Sequence, residues 1–128
     1  MKRTIWMMLN VLFAVLFLFA AVVQYNDPDP LPWMLIYGAA IVACLLVLRR
    51  SRAWIVPAAI ALCALVWAGL LAPAAQGVRF RDMFAEFEMR DAGIEVAREV
   101  FGLLIIGAWM ILVTIGSMRA KAQTHRRL

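Results

Sequence analysis

"IWMMLNVLFAVLFLFAAVV", Ile5–Val23, runs for 19 residues without an acid or a base. As an α-helix it would cover about 28 Å, close to the ~30 Å hydrocarbon core of a bilayer. It is longer than the apolar core of a cleaved signal peptide, about 7–15 residues. It therefore reads as a span, although "MKRTIWMML" resembles a signal's basic start. Three more charge-free runs of 18 to 20 residues follow, at Leu31–Leu48, Ala53–Ala72 and Val100–Met118. Backbone amides in lipid must be satisfied within a helix or a closed barrel, and barrel strands alternate polar with apolar residues. These runs do not alternate. The expectation is an all-α membrane protein, a four-transmembrane-helix bundle forming one integral membrane domain over residues 1–128.

The composition agrees. The chain is 66% hydrophobic with a mean hydropathy of +0.86, against about half apolar for a soluble domain. The net charge of +5 could point to nucleic acid, but the positions of the bases answer it better. Lys2, Arg3, Arg49, Arg50, Arg52, Arg119, Lys121, Arg126 and Arg127 are nine of the 13 bases, and a four-span map puts them all on one side. That side is cytoplasmic by the positive-inside rule. Both termini then lie inside, residues 119–128 are a basic cytoplasmic tail, and the chain reads as a multi-pass protein of the bacterial inner membrane. All eight acids fall on the other side, with Arg79, Arg81, Arg90 and Arg98. The rule does not demand this second segregation, because carboxylates set topology weakly.

Trp6 and Trp54 fall near the inner boundary, and Trp33 and Trp67 near the outer one, as interfacial indoles do. Trp109, in mid-span, reads as packing. Cys44 and Cys63 lie at different depths, too far apart for a disulfide, and read as buried, inert thiols. Asn10 reads as an interhelical hydrogen bond.

Two outer segments are chemically loaded. The first is "QYNDPDPLPW", Gln24–Trp33. Its prolines hold Asp27 and Asp29 in a short stiff turn. Asp29–Pro30 can open the second helix as N-cap and N1, which accounts for Asp29 but not for Gln24, Asn26 and Asp27. The second is "VRFRDMFAEFEMRDAGIEVAREVFG", Val78–Gly102. Phe80, Met83, Phe84 and Phe87 recur at helical spacing, so a short amphipathic helix over residues 78–92 is expected at the outer interface, with Gly93 as a break. Glu88, Asp91, Glu95 and Glu99 fall within about 80° on a helical wheel, and Gly102 shares their face. Either this is a solvated face with Arg98 as internal counter-ion, or it is a site for a cation or a cationic partner group.

"QYNDPDPLPWMLIYGA", followed by four spans and "EVAREVFGLLIIGAWM", resembles the transmembrane protein 220 family. The matching positions are Gln24, Asn26, Asp27, Pro28, Asp29, Trp33 and Tyr37, then Glu95, Arg98, Glu99 and Gly102. The resemblance implies the four-span fold and directs attention to these residues. It implies no reaction, since the family has no established activity.

Three function classes follow. The first is a binding or interaction protein. Asn26, Asp27, Asp29, Glu95 and Glu99 offer hard oxygen donors suited to a weak divalent-cation site; Asp27, Asp29, Glu95 and Glu99 are the candidate metal ligands. The same acids could instead pair with Arg98 in a structural clasp near Tyr37 and Gly102, or dock a larger membrane protein or a second copy of the chain. No other cofactor is expected, and no nucleic acid. The second class, an oligomeric channel or transporter subunit, lacks the intramembrane ionisable residue such pathways usually carry. The third, an enzyme acting on lipid headgroups with a Glu99/Asp27 pair, lacks a nucleophile motif, metal-ligand spacing and a phosphate-binding glycine loop. His125 reads as a solvated tail residue, and the eight methionines as apolar filler.

Overall fold

The computed structural model describes residues 2–26, 28–49, 53–75 and 92–127. Among the described residues, four α-helices carry the fold: α1 (Lys2–Val23), α2 (Pro30–Arg49), α3 (Ile55–Leu71) and α4 (Ala92–Arg126). Short 3-10 turns, Gln24–Asn26 and Ala72–Ala75, extend α1 and α3. All four are long and apolar enough to cross a membrane. The outer amphipathic helix expected over residues 78–92 lies outside the described residues, apart from Ala92. Gly93, expected as a break before the last span, is the second residue of α4, and the stretch it would separate from that helix lies outside the described residues.

The helix starts follow from local chemistry. Pro30 opens α2, as the Asp29–Pro30 pair predicts. Pro32 and Pro57 sit in first turns, where the missing N–H is one of the four that have no intrahelical partner anyway. At 35 residues, α4 is about 50 Å long and outreaches the ~30 Å hydrocarbon layer. The basic tail continues it as an exposed helix as far as Arg126.

Side-chain meetings set the topology. Phe17 near the end of α1 meets Tyr37 near the start of α2. Trp67 of α3 stacks on Trp33 of α2. Tyr37 reaches Gly102, and Cys44 faces Trp109 seven residues further along both helices, so α2 and α4 run parallel. Trp6 touches Gly116 while Phe13 stacks on Trp109, so α1 runs opposite to α4. The chain is an up-down-up-down bundle with α1 packed mainly on α2, and α3 mainly on α4. One end gathers Lys2, Arg3, Arg49 and the bases of the α4 tail. The other gathers the end of α1, the start of α2 and the start of α4. They are called the basic and acidic ends below.

Each helix buries one stripe. It is Asn10, Ala14, Phe17 and Ala21 on α1, and Trp33, Tyr37, Ala40, Cys44 and Val47 on α2. On α3 it is Pro57, Ala61, Ala64 and Ala68, and on α4 it is Leu103, Ile106, Met110, Val113 and Ser117. Alternating steps of three and four residues are the spacing of helices packed nearly parallel or antiparallel. The opposite faces are equally apolar and stay exposed; Leu70 is 76% exposed and Phe19 70%. In water such a surface would be a large interaction patch, whereas in lipid it is the expected exterior.

Three sequence expectations change. The Asn10 amide donates to the Trp6 carbonyl of its own helix at 3.0 Å rather than across helices, and its Oδ1 is left without a partner. Cys63 is exposed on the bundle exterior, so only Cys44 is a buried thiol; both are free. Trp33 is not an interfacial indole, since it is 3% exposed and stacked on Trp67 at 4.4 Å. Trp109 packs as expected, 3.9 Å from Phe13 in a near-parallel stack.

Candidate functional site

At the acidic end the starts of α2 and α4 run side by side. Tyr37, two turns into α2, is held from the α1 side by the Phe17 ring at 6.2 Å. Its hydroxyl lies over Gly102 so closely that a Cβ there would sit 2.7 Å from the oxygen. Real side chains do not come that near, so this approach requires glycine. Glu99 precedes Gly102 by three residues on the same helix, close enough for its charge to act on the Tyr37 hydroxyl. Arg98 and Glu99 are each half-buried.

Tyr37, just beyond the first loaded segment, is thus brought together with Glu99 and Gly102 of the second. Trp33, one turn before Tyr37, forms the floor of the same end with Trp67. Gln24 is half-buried in the 3-10 turn, and Asn26 and Asp29 are exposed. Asp27 lies outside the described residues, as does the side chain of Glu95, so the pairing of Arg98 with Asp27 or Glu95 and the full oxygen set for a cation lie outside them too. Among the described residues, no three His, Cys, Asp or Glu side chains gather closely enough to hold a metal ion.

Phe17 escaped the sequence reading, and Trp67 was placed by depth as an interfacial indole without its stacking on Trp33. Both sit in spans that are apolar on every side, so periodicity does not single them out. The available signal is positional: each is an aromatic residue within two turns of the outer end of its span, level with Trp33 and Tyr37.

The arrangement can do two things chemically. A tyrosine hydroxyl and a carboxylate at the edge of low-dielectric lipid can accept and orient a cationic group. An aromatic face beside them can contribute cation–π attraction.

No solved structure matches this chain. A family model described as "Transmembrane family 220, helix" matches residues 16–115. That stretch runs from the middle of α1 almost to the end of the α4 span and includes both loaded segments, and the chain belongs to transmembrane family 220.

Proposed function

We propose that the acidic end is a clasp between α2 and α4 that receives a cation or the cationic group of a partner, on the extracytoplasmic side of a protein with both termini inside. The observation carrying this is the seating of the Tyr37 hydroxyl over Gly102, about one helical turn from Glu99. Packing alone would place an apolar side chain there, since a polar group at that depth is costly unless it is matched. Asp27, Asp29 and Glu95 would supply further oxygens, and Arg98 the internal counter-charge. A larger membrane protein or a second copy of the chain would dock through the same face.

The test is a melt of the purified protein in chelator, then across calcium and magnesium titrations at fixed ionic strength. A site with a Kd of about 0.1–1 mM would stabilise the fold by about 1.4–2.7 kcal/mol at about 10 mM ion. Asp27→Asn and Glu99→Gln should abolish the shift without unfolding the protein. A flat response in the parent removes the ion and leaves a clasp that serves a partner. In that case Arg98→Ala should still destabilise by more than the ~1 kcal/mol of an exposed pair. The orientation has its own check: a cysteine placed at Gln76 should be labelled from outside the membrane.

A further inference from the structure

The basic end holds a feature the acidic site does not use. Lys2 and Arg3 of α1, Arg49 of α2 and Arg119 of α4 line a half-open cavity of about 570 Å³ between the three helices. Trp6, Met7, Val47 and Leu48 form its apolar walls, Gln123 adds an amide, and among the described residues no carboxylate side chain lines it. Ser117 also lines it. That side chain is 1% exposed, and its Oγ has no hydrogen-bond partner.

The positive-inside rule explains why bases collect at this end. It does not explain why three helices leave a chamber among them, or why a hydroxyl is buried there unmatched. Buried polar groups are nearly always paired; the Ser117 Oγ, closed off just behind the cavity wall, would gain a partner by turning toward a ligand there. The volume is that of a ligand pocket. Arginine forks match phosphate oxygens in pairs, and a serine hydroxyl can donate to a third. The apolar walls suit the glycerol and upper acyl segments of a lipid, and Met7 stays exposed on the lipid-facing side.

We propose that this cavity binds the phosphate headgroup of an anionic phospholipid from the leaflet at the basic end. Lys2 attracts the phosphate, Arg3, Arg49 and Arg119 fork it, and Ser117, by rotation of its side chain, donates to it from within the bundle. Basic pockets between membrane helices are a recurrent form of lipid recognition. The assignment is independent of the acidic clasp at the opposite end.

The experiment is a thermal melt of the full chain in neutral detergent micelles doped with phosphatidylglycerol. The controls are phosphatidylcholine at equal mole fraction, and inorganic phosphate at matched ionic strength. Phosphatidylglycerol should raise Tm by about 2–4 °C, and neither control should do so. The double variant Arg49→Gln/Arg119→Gln should lose most of the shift. Arg126→Gln/Arg127→Gln, which removes equal charge from the tail, should keep it. Ser117→Ala should melt at or above the parent without lipid, because an unmatched buried hydroxyl is removed, yet need about fivefold or more lipid for the same shift. Equal responses to both lipids would overturn the assignment, as would equal losses from the cavity and tail variants. Inorganic phosphate reproducing the whole shift would overturn a lipid source. An unchanged lipid response in Ser117→Ala would overturn the role of the buried hydroxyl.

Discussion

α4 meets α3 and α1 in two different ways. Against α3 the seam is narrow. Ala61, Ala64 and Ala68 turn inward beside Leu65, whose side chain seats over Gly107. Against α1 the seam is wide. The two helices nowhere bring Cα atoms within 8 Å among the described residues, and Trp6, Phe13 and Trp109 fill the gap with rings. Small residues let backbones approach and gain van der Waals contact, which matters most in lipid, where apolar burial gives little driving force. Large rings hold helices apart and leave polar atoms without partners. Asn10 Oδ1, Ser117 Oγ and Trp109 Nε1 are all buried without a hydrogen-bond partner. The narrow seam holds the bundle together, and the wide one ends in the cavity at the basic end.

The contrast can be broken most severely at Trp109. Trp109→Ala should remove the ring that touches both Trp6 and Phe13 and destabilise the protein by about 3 kcal/mol or more, read as loss of folded protein in a denaturant titration in micelles. Ala64→Leu tests the narrow side by the opposite change. Ala64 is fully buried, so a larger side chain must push α3 outward, at a cost of about 1–3 kcal/mol.

The α4 glycines sharpen the comparison. A Cβ at Gly116 would meet the rigid Trp6 ring at 2.7 to 3.3 Å, whereas one at Gly102 would meet mainly the Tyr37 hydroxyl at 2.7 Å. Gly116→Ala should therefore cost about 1–2 kcal/mol and Gly102→Ala less, because the end of a tyrosine moves more easily than an indole ring. Gly102→Ala should nonetheless weaken any ligand response at the acidic end more than Gly116→Ala does. Gly38 has open space where its Cβ would go. Gly38→Ala should have the opposite sign and stabilise by up to about 1 kcal/mol through helix propensity. A loss at Gly38 equal to that at Gly116 would mean that steric fit is not what distinguishes these positions.

Part of the packing at the acidic end was legible beforehand. Tyr37 was singled out by the resemblance to the transmembrane protein 220 family, and Gly102 by that resemblance and by the face it shares with the acid stripe; the structure brings them into contact. Trp33 was named but given the wrong environment. Interfacial indoles and indoles packed inside a bundle occupy the same depth, and depth is all that sequence position conveys. Phe17 stayed hidden, and so did the stacking of Trp67 on Trp33, for a related reason: nothing in an all-apolar span distinguishes a ring that faces a neighbour from one that faces lipid.

The number of spans, their helical form, their alternating direction and the separation of bases from acids were determined by the sequence alone. Hydrocarbon cannot satisfy a bare peptide group, and it excludes charge, so length and charge placement leave one architecture. Which stripe of each helix turns inward was decided only by the tertiary structure. Phe17 is 3% exposed and Phe19, two residues on, is 70% exposed; Leu103 is fully buried and its neighbour Leu104 is 45% exposed. These pairs are chemically identical, and lipid tails solvate the outward member as well as the core solvates the inward one. In water, polarity would have marked the outer face. In a membrane only the fit of one helix against another, Ala and Gly on the narrow side and rings on the wide one, separates inside from outside.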